Sequence, residues 1–181
     1  RKPLWELAVP SVAWSVNISG DGRLAVAGLG DGTLRWYRMA DGKELLALFP
    51  HRDGKRWVAW TPQGFYQASA GAEDLIGWHL NQGSRKVPDF YSASRFRSTY
   101  YRPDVIDRVL AAMDEAVALQ QANAEAGRKQ AAEVSVREKL PPVVAIASPA
   151  DGAQVSATPV WVHYSARSQA PVTGLKVLVD G

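Results

Sequence analysis

An internal repeat at an offset of 42 residues constrains this chain more than any other feature of its sequence. Gly22 pairs with Gly64, Leu24 with Tyr66, and Val26 with Ala68. Leu34 pairs with Ile76, Trp36 with Trp78, Val16 with Val58, and Ile18 with Trp60. The Gly-to-Trp spacing is 14 residues in each copy. A period of about 40–45 residues that reads as several short strands belongs to stacked sheet units, each burying its faces against its neighbours.

The first copy divides into four strands. Ala13 to Ser19 alternates in polarity, and Gly20-Asp21-Gly22 is a turn. Arg23 to Gly28 is a second strand, followed by the turn Gly30-Asp31-Gly32. Thr33 to Met39 is a third, with Leu34 and Trp36 on one face. Ala40-Asp41-Gly42 then turns into a fourth, Lys43 to Phe49. Four strands separated by Gly-containing turns make one propeller blade. In the second copy, Trp57 to Thr61, Gly64 to Ala68 and Leu75 to Leu80 give three strands. Asn81-Gln82-Gly83-Ser84 breaks the run, so no fourth strand is predicted.

The run Asp31-Gly32-Thr33-Leu34-Arg35-Trp36-Tyr37-Arg38-Met39-Ala40-Asp41-Gly42-Lys43-Glu44-Leu45 resembles the end of a WD repeat. Tyr37-Arg38, and His79-Leu80 in the next copy, stand where that family carries Trp-Asp. The resemblance implies a structural turn role for Asp31. It also implies that a last blade lacking one strand is completed from elsewhere. About two blades are too few to stand alone, because stacked repeats need neighbours. The expected fold class is therefore mainly β: a partial WD-repeat β-propeller over residues 1–83, a linker with one long helix over 84–139, and the first strands of an immunoglobulin-like sandwich over 140–181.

Ser84 to Pro88 reads as loop. In the linker, Pro103 suits the first helical position and Asp104 the positive end of a helix. Ile106, Leu110, Met113 and Val117 recur at helical spacing, so that face packs on something. The stripe fades beyond Leu119. Leu140-Pro141-Pro142 punctuates the next boundary. Val143 to Ala147 reads as a strand, Ser148-Pro149-Ala150-Asp151-Gly152 as a turn, and Val160, Val162 and Tyr164 alternate. Leu175, Val177 and Val179 run into Asp180-Gly181, a hairpin signal that predicts a return strand. An immunoglobulin-like sandwich needs about 100 residues, so the expectation is a truncated one.

Together, the run Trp57 to Tyr66, the stretch Leu75-Ile76-Gly77-Trp78-His79-Leu80-Asn81, Phe90-Tyr91, Tyr101-Arg102-Pro103-Asp104-Val105 and the Ser-Pro-Ala-Asp-Gly turn resemble bacterial proteins that join a WD-repeat propeller to a caspase-like peptidase. The resemblance implies a scaffold segment with protein partners, in contact with a downstream domain that it targets or regulates. The His-Cys dyad of such a peptidase has no counterpart in this chain. The alternative is a surface or periplasmic module binding carbohydrate or matrix, with Trp5 or Trp14 stacking on sugars, although Trp at alternating strand positions is more often core.

Composition excludes several chemistries. There is no cysteine, so disulfides, thiolate catalysis and Cys-based metal sites are ruled out. The lack of cysteine fits a reducing compartment, but localisation stays open. The 21 Lys+Arg stand against 18 Asp+Glu and are scattered, unlike the clustered surplus of a nucleic-acid binder. Tyr91, Arg95, Phe96, Arg97, Tyr100, Tyr101 and Arg102 combine rings and guanidinium groups. They read as packing rings with outward arginines rather than a stacking platform. His51, His79 and His163 lie far apart and lack nucleophile motifs. Gly28, Gly30 and Gly32 mimic a phosphate loop but sit between strands with no helix following, which argues for a hairpin. Glu73-Asp74 reads as a solvated pair. No catalytic, cofactor-binding or metal residue is expected, and no stretch approaches the ~18 apolar residues of a membrane span.

Overall fold

The computed structural model describes residues 2–80, 89–128, 143–150, 152–156, 159–168, 171–172 and 174–175. The chain is mainly β and divides into two compact units, Arg1–Gln130 and Ala131–Gly181. The first unit holds a six-stranded antiparallel meander: β1 (Ala13–Ile18), β2 (Leu24–Leu29), β3 (Leu34–Arg38), β4 (Glu44–Pro50), β5 (Trp57–Trp60) and β6 (Tyr66–Ala68). A separate hairpin joins β7 (Gly77–Leu80) to β8 (Asp89–Ser92).

The repeat seen in the sequence is a repeat of turn geometry. Gly22 and Gly64 both take positive φ, 71° and 97°. Their amides donate to Ser19 O at 2.8 Å and Thr61 O at 2.9 Å. Only glycine enters this region without steric cost, which explains its recurrence at the same place in both copies.

Strand positions repeat, but strand pairing departs from the expectation in three ways. First, β4 pairs with β5, Phe49 opposite Val58, so the sheet runs on where a blade boundary was expected. The connection is short and tightly bonded. His51 N donates to Arg56 O at 2.8 Å, and the Asp53 carboxylate accepts from the amides of Lys55 and Arg56. It folds β5 straight back on β4. Second, β8 supplies the fourth strand that the second copy was expected to lack. It falls 42 residues after Ala47 to Pro50 of β4 and pairs antiparallel with β7, as β4 does with β3, but in a different register: Gly77 lies opposite Ser92, where Arg35 lies opposite Ala47. Third, β7 does not pair with β6, although β3 pairs with β2. The edge of β6 is taken: Tyr66 bridges Tyr101 in parallel, and Arg102 N donates to Tyr66 O at 2.9 Å.

The stretch expected to hold one long helix holds a single turn, α1 (Arg97–Tyr100), then α2 (Pro103–Ala112) and α3 (Glu115–Glu125). Pro103 opens α2, as its fixed φ favours. The break falls at Met113, in the left-handed region at φ 56°. Asp114 then caps α3, its carboxylate accepting from Ala116 N at 2.9 Å and Val117 N at 3.3 Å. These helices belong to the first unit rather than to a linker. Val105, Ile106 and Val109 of α2 and Ala118 and Ala122 of α3 pack with Leu45, Leu46 and Ala59 into one buried cluster.

A second cluster, Ala25, Ala27, Leu29 and Tyr37, is covered by Val9 and Met39. Trp5 secures the N-terminal segment by donating from Nε1 to Met39 O at 2.7 Å. In the second unit, β9 (Val143–Ser148) pairs with β10 (His163–Arg167), Ile146 opposite Tyr164. The expected loop at 84–88, the Pro-Pro boundary at 141–142, Asp151 and the run 176–181 lie outside the described residues.

Candidate functional site

The residues weighed from the sequence are spread through the fold, and most are held in structural pairs. Asp31 closes the β2–β3 turn: its Oδ1 accepts from Thr33 N at 2.9 Å and Thr33 Oγ1 at 2.6 Å, the turn role expected of it. Gly28 lies in β2, and Gly30 and Gly32 lie in the hairpin that leads to β3. The Gly32 amide donates to Leu29 O at 3.1 Å, so that amide closes the hairpin. His51 sits in the β4–β5 connection with Nδ1 3.0 Å from Asp53 Oδ2. His163 begins β10 in the other unit and is exposed. No group of three His, Cys, Asp or Glu could hold a metal among the described residues, and none of their helices is long and apolar enough to cross a membrane.

Glu73 and Asp74 are not a free solvated pair. They lie in a 3-10 turn, Glu73–Leu75, and tie it to the segment after β8. Arg97 donates to Glu73, and Ser94 Oγ donates to Asp74 at 2.8 Å. The aromatic and basic cluster is likewise absorbed. Tyr91, Phe96 and Tyr100 are buried, with Trp78 packed edge-on to Phe96 at 4.8 Å. The arginines do not all point outward. Arg97 lies 4.1 Å over the Tyr101 ring, and Arg102 is held by Asp104 and Asn123. Arg102 in turn holds the Asp104 carboxyl below its ordinary pKa.

One feature built by tertiary packing could not be read from the sequence. A cleft of about 650 Å³ opens between the β5–β6 turn and β7. Its walls are Trp60, Trp78, His79 and Phe90, and its polar end is Arg35 with Glu44. Arg35 Nη1 donates to the Glu44 carboxylate at 2.9 and 3.1 Å, and Arg35 Nε donates to Thr33 Oγ1 at 3.2 Å. Asp31 Oδ2 lies 3.7 Å from Nη2, and the guanidinium stands 5.9 Å over Trp60. The Trp78 wall is closely packed. Gly64 lies against the Trp78 indole, which a Cβ there would meet at 3.1 Å, and the Tyr100 ring packs on it with centroids 5.2 Å apart. Behind the cleft wall, Glu115 is almost fully buried, and its Oε1 accepts from Gln63 N at 3.3 Å. Burial pushes its carboxyl above the ordinary value.

The second surface feature is β1. All six of its residues are exposed, with Trp14 at 78%, Val16 at 66% and Ile18 at 56%. Trp5, by contrast, is half-buried over the turn at Gly42. The geometry offers two binding surfaces, an open strand and an aromatic cleft. Comparisons with family models, curated proteins and solved structures found no match to this chain.

Proposed function

We propose that this chain is a non-catalytic interaction segment: terminal blades of a WD-type propeller with the opening strands of an immunoglobulin-like module, serving to target or regulate a caspase-like cysteine peptidase domain. The observation that carries the interaction reading is β1. It forms the edge of the six-stranded sheet and presents Trp14, Val16 and Ile18 to solvent. A strand edge with large exposed apolar residues is a template for a strand from another chain or domain. Its guard is slight: among the described residues, the outward Ile18 amide donates to the neighbouring Asn17 Oδ1 at 2.9 Å and to no other strand. The propeller reading draws support from the repeated strand positions and the repeated turns at Gly22 and Gly64.

Sedimentation velocity over a concentration series, comparing the chain with a Val16→Lys, Ile18→Lys double variant, tests this reading. With no partner present, the open edge pairs with a second copy, so the chain should associate as concentration rises. The lysines should keep the variant monomeric with an unchanged circular dichroism spectrum. A chain that stays monomeric up to millimolar concentration would remove the interaction reading.

A further inference from the structure

The second copy of the repeat leaves a vacancy that the first copy fills. In the first copy, β3 is sandwiched between β2 and β4. Its counterpart β7 has β8 on one side, and β6 has turned its edge to Tyr101 and Arg102 instead. Among the described residues β7 therefore has one paired edge and one that opens on the cleft, whose wall includes residues 75–79 in unbroken succession. The Ile76 carbonyl accepts from Ala93 N at 2.9 Å, so Ile76 faces β8. By the alternation of an antiparallel ladder, the N–H and C=O groups of Gly77 and His79 face the cleft.

We propose that this edge binds an extended peptide segment carrying a lysine or arginine, which adds as a strand to β7 and places its cation in the cleft. The occupant follows from two observations. The backbone of β7 offers what β3 offers to β2, so the complement is a strand. Charge selects the side chain: Arg35 and Glu44 line the polar end of the cleft as an ion pair, and Asp31, outside the lining, lies 3.7 Å from the same guanidinium, so the three groups together carry one negative charge in surplus. Trp60 and Trp78 line the same cleft, and a desolvated cation is stabilised by aromatic faces as well as by carboxylates. The site is preformed, because Trp78 is fixed by Phe96 and Tyr100, and Gly77 lets β8 approach so closely that a Cβ there would lie 2.1 Å from Tyr91 O. This inference rests on the interaction reading and concerns a different edge from β1.

The test is fluorescence polarisation of the full chain with a labelled, end-capped peptide of about seven alternating threonine and valine residues with a central lysine. Saturable binding is expected. Methylation of alternate peptide amides should weaken it roughly tenfold by removing main-chain hydrogen bonds while leaving the protein untouched. Norleucine or glutamate in place of lysine should weaken it as well, and Glu44→Gln should remove the preference for lysine over norleucine. The Val16→Lys, Ile18→Lys variant should bind as the parent does. No saturable binding overturns the inference, as does binding indifferent to amide methylation or to the central residue. Binding lost in the β1 variant would overturn the β7 site while leaving the interaction reading in place.

Discussion

Replacing Val109 by alanine tests whether the helical pair is part of the sheet's core. Val109 is fully buried, in α2, against a cluster built from β4, β5, α2 and α3. The substitution removes two buried methyl groups, a loss of about 1.6 kcal/mol at ~0.8 kcal/mol each. Incomplete collapse of the space left behind adds about 1 kcal/mol. Alanine's better helix propensity returns about 0.5 kcal/mol. The expected destabilisation is about 2 kcal/mol. Trp36 and Trp57 pack against this cluster, so their fluorescence reports its loss in a urea titration. With a slope of about 2 kcal/mol per molar, the midpoint should fall by about 1 M. Val117→Ala is the control: it lies in α3 at 41% exposure and should change stability by no more than about 0.5 kcal/mol. If Val109→Ala costs no more than Val117→Ala, the helices are not docked on the sheet and the reasoning fails.

Two tyrosine substitutions should act in opposite directions. Tyr66 is fully buried, donates from its hydroxyl to Ala93 O at 3.0 Å, and is pushed up to about 12 chiefly by burial; Tyr66→Phe should cost about 1–2 kcal/mol in the same titration. The buried Tyr37 hydroxyl has no hydrogen-bond partner among the described residues, so Tyr37→Phe should be neutral or stabilising by up to about 1 kcal/mol. Glu115 is raised by burial, so the folded state binds its proton more tightly than the unfolded state. Its favourable contribution is complete below the unfolded value near ~4.3 and disappears as pH rises through the folded value. Glu115→Gln should accordingly be more stable than the parent at pH ~7, with a gap that closes on acidification; a gap independent of pH would contradict this. Gly77→Ala should displace the β7–β8 hairpin, seen as a change in near-ultraviolet circular dichroism, because the added carbon collides with Tyr91 O.

Much of the strand layout was legible because it rests on local signals. Alternation places β1 to β6 within a residue or two, and glycine at the two equivalent turns marks a backbone that needs positive φ. Asp31 was legible for the same reason, since its bonds reach only two residues along the chain. Pairing was not legible. Whether β5 turns back on β4 depends on a hydrogen-bonded connection, and β7 does not pair with β6 because Tyr101 and Arg102 occupy that edge. β8 was missed because four residues of Asp-Phe-Tyr-Ser carry little periodicity and sit beside a basic aromatic run. The break between α2 and α3 hid inside an apolar stripe that continues through Met113 to Val117. Only Asp114, a good cap residue, marked it. The cleft was invisible for a deeper reason: its walls come from segments that meet only through tertiary contact.

Amide hydrogen exchange resolved at β7 in the full chain tests the central claim, that this protein offers open strand edges for a partner to complete. The Trp78 amide faces β8 and should be protected, while those of Gly77 and His79 face the cleft and should exchange fast, as should the outward Val16 amide of β1. Equal protection at Gly77, Trp78 and His79 would mean that the edge is already occupied, and would contradict the account.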